Sequence, residues 1–378
     1  MNSLRMAKLF EERIPEYIRT ISPYVPGKPV EEVERELKIR AVKLASNENA
    51  LGPSPRAMEA VRSALSDANR YPDGDAYYLR EALAAKHGVP MENIVVGLGS
   101  SELIDLSARL LIHLGEEGIT SQGSFALYYI AIQATGGRLV ALPLRDYAFD
   151  LNAMARAISL RTRYVILANP NNPTGTLFTA DEFDDFLARV PEDVLVVIDE
   201  AYCDYVSHPN YTRAIERVRD GRNLLVLRTF SKAHGLAGMR IGYGIGPAPL
   251  VSEMNKVRTP FNTSGVAQAA ALAAMGDVEH VQRSVESNRE GMARVTQGLD
   301  RLGVRFVPSF GNFIYLEAGA SGRALADALL ERGVIVRPLD WMGIREGVRV
   351  TIGTSEENEK FLAALAKAVK SRQLAPAR

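Results

Sequence analysis

Two groups in the middle of this chain have the types and positions to act on each other. Asp199 closes a continuous apolar run, residues 194–198, so its carboxylate is expected to be partly shielded from water. A buried charge is costly unless paired, and a pyridinium nitrogen or a metal ion would be its functional partner. The structural alternative is a helix N-cap, a position Asp favours. Lys232 follows a second apolar run, residues 224–227, and precedes Gly235, Gly238 and Arg240. At the carboxyl end of a strand, opposite a shielded acid, desolvation and a nearby cation lower the pKa of such an amine and make it nucleophilic.

A third segment, Gly97-Leu98-Gly99-Ser100-Ser101-Glu102, follows the run 94–96. Glycines and serines at a strand-to-helix turn expose backbone N–H groups at a helix N-terminus, which suits a phosphate. A plain tight turn is the alternative. A dinucleotide fingerprint needs a third glycine where Glu102 stands. A P-loop is absent, because Pro29 follows Gly27-Lys28 and position 22 is Ser. The five histidines, His87, His113, His208, His234 and His280, have neither the two-His helical spacing of zinc proteases nor a Cys–His cluster, so no metal site is expected. No Gly-x-Ser-x-Gly elbow occurs. Cys203 reads as a packing residue and His234 as a hydrogen-bonded structural one.

The elements that must position these groups are short β-rich runs, 94–96, 138–142, 164–168, 194–198 and 224–227, each followed by turn residues and a helical pattern. This alternation predicts an α/β fold with a mostly parallel central sheet covered on both faces. In such a sheet ligands collect beyond the carboxyl ends of the strands, where residues 97–102, 169–175, 199–202 and 228–232 lie. Thr179 with Glu182, and Thr354 with Glu357, have capping-box spacing. From about residue 278 the texture changes to a long charged helix, 281–302, then short apolar runs at 305–307, 313–316, 334–336 and 348–352, with a helix near 324–331. The expected division is an N-terminal arm (1–45) joining a small domain, a large α/β domain (46–277) and a small C-terminal α+β domain (278–378). The tail 374–378 is expected to fray.

Composition narrows the function. The 378 residues carry 45 Lys plus Arg against 45 Asp plus Glu, a net charge of zero, which argues against nucleic acid or an anionic membrane as partner. The lone cysteine permits no intrachain disulfide. No apolar run nears the roughly 18 residues a membrane helix needs, and residues 1–15 lack the apolar stretch of a signal peptide. A cytoplasmic protein is expected.

Taken together, Asn169-Pro170-Asn171-Asn172-Pro173-Thr174-Gly175, Asp199-Glu200-Ala201-Tyr202, and Ser231-Lys232 followed by residues 235–243 resemble fold-type I pyridoxal-phosphate-dependent aminotransferases in order and spacing. Residues 23–28, 44–49, 70–73, 312–313 and 349–354 look like the histidinol-phosphate aminotransferase branch. The resemblance spans roughly residues 23–355. It implies pyridoxal 5'-phosphate held by Lys232 as a Schiff base, with Asp199 on the ring nitrogen and Tyr202 and Asn172 on its phenolic oxygen. It further implies Ser100, Ser101, Ser231 and Arg240 around the cofactor phosphate and Phe125 stacked on the ring. Tyr71 would reach the phosphate from a second subunit, making a homodimer part of the site.

For the substrate, the resemblance implies that Arg349 grips an α-carboxylate in two-pronged fashion, which lysine cannot copy. Tyr24, Arg337 and Asn49 would lie near histidinol phosphate; surface pairing is the plain alternative for Arg337, and packing for Tyr24. The reaction implied is ping-pong exchange of an amino group between L-histidinol phosphate and 2-oxoglutarate, giving imidazole-acetol phosphate and glutamate, with Lys232 as general base. An aromatic or other amino-acid aminotransferase is the alternative on the same scaffold. More distant are a nucleotide-dependent oxidoreductase, disfavoured by Glu102, and a non-catalytic binding protein. Phe125, Ser101 and His234 depart from the family pattern, which leaves the chemistry intact but touches substrate preference.

Overall fold

The computed structural model describes residues 3–25, 27–212, 214–319 and 321–370. The tail 374–378, Pro26 and Ala320 therefore lie outside the described residues. Three helices, Ser3–Arg13, Glu16–Arg19 and Val30–Leu37, open the chain. They lead to β1 (Val42–Lys43), and then to seven strands of one sheet: β2 (Ile94–Gly97), β3 (Glu117–Ser121), β4 (Arg138–Leu142), β5 (Thr162–Ala168), β6 (Leu195–Asp199), β7 (Leu224–Thr229) and β8 (Gly242–Ile245). Their spatial order is β2-β8-β7-β6-β5-β3-β4. β8 alone runs against the other six strands, so the sheet is mostly parallel and the chain is an α/β protein. Every residue of β6 and β2 is buried, the burial expected of strands with helices on both faces.

All five predicted strands of this sheet are present. The two without a sequence signal have a physical reason to look unlike strands. β3 begins with Glu117 and Gly118. The buried Glu117 carboxylate accepts from Ser159 Oγ at 2.7 Å and from Arg161 Nε at 3.0 Å. β8 contains Gly242 and Gly244, which weaken any strand pattern.

The remaining strands are β9 (Phe306–Val307), β10 (Phe313–Glu317), β11 (Val334–Ile335), β12 (Arg337–Pro338) and β13 (Gly347–Thr351). Four of them form an antiparallel sheet in the order β12-β13-β10-β9, and β11 pairs in parallel with β1. Two large hydrophobic cores result. One surrounds the seven-stranded sheet between Ala57 and Ala274; the other joins Leu44 to residues between Val295 and Ala368. The helix Val30–Leu37 buries Val33 against Ala41, Ala45 and Ile335. The long helix runs Val278–Leu302 and ends at Gly303, whose φ of 66° forms the left-handed cap. Both capping boxes form, at Thr179/Glu182 and Thr354/Glu357.

Among the described residues no helix is long and apolar enough to cross a membrane. No group of three or more His, Cys, Asp or Glu side chains among them could hold a metal ion.

Candidate active site

Beyond the carboxyl ends of β2, β5, β6 and β7 lies a cavity of about 260 Å³ that Asp199, Lys232, Tyr202 and Asn172 all line. The parallel register explains the meeting: Ala168 of β5 and Leu227 of β7 flank Asp199 at the end of β6, so the loops after all three strands share one edge.

Asp199 is buried, with 5% of its surface exposed. One oxygen accepts from Ala201 N at 3.0 Å and the other from Tyr128 Oη at 2.8 Å. It is not a helix N-cap: the short helix that follows, Cys203–Tyr205, starts after Tyr202. Burial lifts the Asp199 pKa from 3.8 to about 6, while the bonds from Tyr128 and Ala201, and the charge of Lys232, pull it down. The folded chain thus holds this proton more tightly than the unfolded chain does. Stability therefore falls as pH rises through the window from 3.8 to about 6, by about 3 kcal/mol at about 1.4 kcal/mol per unit. Asp199→Asn is expected to remove that contribution. Unfolding free energies of the ligand-free wild type and variant, measured at pH 4 and pH 7, check this through the difference between their pH slopes.

The Lys232 amine lies 5.4 Å from the centroid of the Tyr202 ring and 3.4 Å from the Ser46 carbonyl oxygen. Tyr202 Oη accepts from Asn47 Nδ2 at 2.9 Å. Asn172 Oδ1 accepts from Arg349 Nη1 at 2.6 Å, so the Asn172 amide nitrogen keeps its hydrogens for another acceptor.

One wall is built on a helix N-terminus, whose backbone N–H groups suit an anion. Ser100 and Ser101 sit in the first turn of the helix Gly99–Leu111, which opens the cavity wall after β2. Glu102, which displaces a dinucleotide fingerprint, is turned to structure: it accepts from Leu98 N at 2.7 Å and from Asn262 Nδ2 at 2.6 Å. Ser231 and Arg240 complete this wall. Close approach demands glycine twice. A Cβ at Gly242 would lie 2.7 Å from Ser100 N, and one at Gly99 would lie 2.9 Å from Arg240 Nη2.

The opposite wall holds two arginines. Arg349 is nearly buried, donates from Nη2 to the Ala45 carbonyl at 2.6 Å, and its buried Nε has no partner. Arg337 lies 4.8 Å from the Trp341 ring centroid and 5.4 Å from that of Tyr24, and donates to the Val25 carbonyl oxygen. The surface-pairing alternative for Arg337 fails, since the nearby Asp340 is held two-pronged by Arg323. Tyr24 keeps 49% of its surface exposed, so it is no core residue; its ring meets Phe125 and Trp341 edge-on. Burial lowers the pKa of both guanidinium groups, because leaving water disfavours the charged form.

Two sequence-predicted residues stand apart from the cavity. Asn49 donates to the Ala233 carbonyl and to Ser284 Oγ, tying its loop to the long helix. Tyr71 is 83% exposed and stacks on Phe261. His234 is buried edge-on to Phe230 with its Nδ1 unpartnered, not hydrogen-bonded there as expected. Sequence reasoning missed Tyr128, Asn47 and Trp341. Tyr128 is one helical turn from Phe125, a usable spacing. The positive φ of Asn47, 54°, breaks the alternation that would have put it beside Asn49.

With this geometry in hand, comparison with known proteins is specific. The family model "aminotransferase class I and II" matches residues 39–365. The histidinol-phosphate aminotransferase of Moorella thermoacetica is 47% identical over 352 residues, 93% of this chain and 91% of its own. That of Anaeromyxobacter sp. (strain Fw109-5) is 49% identical over 357 residues, 94% and 98% of the two chains. Among solved structures, histidinol-phosphate aminotransferase from Sinorhizobium meliloti in complex with pyridoxal-5'-phosphate superposes with a TM-score of 0.86 at 30% identity, covering 95% of this chain and 98% of the other.

Proposed function

Because this chain belongs to the class I and II aminotransferases and, within them, to the histidinol-phosphate aminotransferase family, we infer that its cavity exchanges an amino group between L-histidinol phosphate and 2-oxoglutarate. The chain is a pyridoxal-phosphate-dependent transaminase of fold type I, acting in histidine biosynthesis. Family membership sets aside the oxidoreductase and the non-catalytic binding protein.

The residues present fit the cofactor. The two close glycine contacts leave room for a phosphate against backbone N–H groups at a helix N-terminus. Ser100, Ser101, Ser231 and Arg240 would hold it there. Bound pyridoxal phosphate supplies an electron-accepting ring that stabilises the charge left when the substrate's α-proton departs. Asp199 would keep a proton at the ring nitrogen. Tyr202 and Asn172 would donate to the ring's phenolic oxygen, and Phe125 would cover the ring. The Lys232 amine would anchor the cofactor and then carry the proton from the substrate's α-carbon. Arg349, with Nε free and buried, grips the α-carboxylate of glutamate.

The observation that carries the substrate reading is Arg337: a buried cation clamped between Tyr24 and Trp341 with no carboxylate paired to it among the described residues. It suits the distal phosphate of histidinol phosphate. Arg337→Ala is expected to lower kcat/KM about a hundredfold for histidinol phosphate and only a few-fold for glutamate, the loss of one charge-assisted contact. Steady-state kinetics with each donor test this, and equal losses would favour an aromatic amino-acid aminotransferase instead.

We also take residues 1–45 as an arm joining the small domain, 46–277 as the cofactor-binding domain and 278–378 as the small domain, in line with the two hydrophobic cores. A homodimer fits the exposed Tyr71–Phe261 pair, which lies away from its own cavity and would serve the partner's phosphate site. The expected location is the cytoplasm.

A further inference from the structure

We propose that Asn47 is a positioning residue that fixes the direction of the Tyr202 hydroxyl, forcing its hydrogen to point into the cavity. The inference rests on the transaminase reading above and adds a residue to it.

The direction follows from counting hydrogens. Asn47 N donates to Thr351 Oγ1 at 2.9 Å, and Thr351 Oγ1 donates in turn to Asn47 Oδ1 at 3.1 Å. Among the described residues the Thr351 hydroxyl hydrogen has no acceptor other than this amide, which puts the oxygen end of the Asn47 amide toward Thr351. The amide nitrogen is therefore the end that meets Tyr202 Oη at 2.9 Å. A phenol carries one hydrogen. With Asn47 donating to the oxygen, that hydrogen has to go elsewhere. A phenol hydrogen stays in the ring plane, so with Asn47 donating on one in-plane side of the oxygen the hydrogen takes the other. The cavity is the side left for an acceptor, and Tyr202 and Asn47 both line it.

The support is built to hold. Asn47 is 1% exposed and adopts a φ of 54°, a conformation Asn tolerates better than most residues. Asn312 Nδ2 holds the carbonyls of Asn47 and Glu48 from the far side. Thr351 lies on β13 two residues beyond Arg349, so both side chains share one face of the strand. One strand thus reaches both donors of the ring's phenolic oxygen, Asn172 through Arg349 and Tyr202 through Thr351 and Asn47.

A hydrogen bond given to the phenolic oxygen drains charge from it and weakens its hold on the proton of the neighbouring Lys232 nitrogen. Losing the bond keeps that proton in place to higher pH. The other titratable and charged groups around Tyr202 and Lys232 are Asp199, Arg349, Tyr128 and Tyr205, and the variants below leave all of them and Lys232 intact.

The test is a pH titration of the visible absorbance of the cofactor-loaded protein. Asn47→Gly keeps the positive φ and removes the amide; its midpoint is expected to rise by about one unit, the scale of one hydrogen bond. Thr351→Val, which lets the amide turn, is expected to shift the same way, and Thr351→Ser to stay at the wild-type value. Tyr202→Phe should show the raised midpoint, and adding Asn47→Gly to it should move nothing further. An unshifted midpoint in Asn47→Gly or Thr351→Val overturns the proposal, as does an equal shift in the Tyr202→Phe background. A wild type that forms no chromophore on Lys232 would instead overturn the transaminase reading itself.

Discussion

Lys232→Ala is expected to reduce kcat by at least about four orders of magnitude. In the proposed function the residue has two jobs, anchoring the cofactor and moving the proton at the substrate's α-carbon, and the second alone is worth about 10²–10⁴. Retention of the cofactor should fall less, since the proposed phosphate contacts at Ser100, Ser101, Ser231 and Arg240 come from other elements. Folding should be nearly unaffected. Among the described residues the Lys232 amine has one hydrogen bond, a long one of 3.4 Å to the Ser46 carbonyl, so little native structure depends on it. Single-turnover absorbance with histidinol phosphate gives the rate, and thermal unfolding separates catalytic from structural loss. A variant that retains more than about a hundredth of wild-type kcat would mean that another group moves the proton.

Asp199→Asn is expected to lower kcat about a thousandfold, the scale of losing one preorganised charge in a water-excluded site. The isosteric amide cannot hold a proton on the ring nitrogen. Binding of glutamate should change little, because Arg349 is on another sheet and keeps its contacts to Asn172 and Ala45. The loss should therefore fall on kcat rather than KM. The burial that makes Asp199 effective also makes it expensive: the same substitution that disables the enzyme should stabilise the ligand-free fold near neutral pH. Opposite signs in activity and stability distinguish a functional acid from a structural one.

The sequence made the sheet legible where strands are fully buried. Runs such as 194–198 are apolar throughout because helices cover both faces, and the acid ending that run stands out for the same reason. Reading beyond the strand ends then found Lys232, Tyr202, Asn172 and the Ser100–Ser101 turn, because parallel register places those loops along one edge. β3 and β8 were illegible, since a buried Glu117 and paired glycines serve tertiary contacts that no local pattern records. β12 escaped because its two residues include Pro338.

Two of the site's unforeseen members, Tyr128 and Asn47, have partners that are far away in sequence. Tyr128 meets Asp199 across 71 positions, and Asn47 meets Thr351 across 304. Asn49 looked the better candidate than Asn47 on resemblance, yet the backbone turn at Asn47 sends the two side chains to different neighbours. Trp341 is the only tryptophan of the chain, but nothing local says that it clamps Arg337.

The central claim is that Lys232 carries the cofactor opposite Asp199 in this cavity. Borohydride reduction of the cofactor-loaded protein, followed by proteolysis and mass spectrometry, tests it most directly. The account predicts a stable phosphopyridoxyl adduct on the peptide containing Lys232, lost in Lys232→Ala. An adduct confined to a different lysine, or none on a protein that still turns over histidinol phosphate, would contradict it.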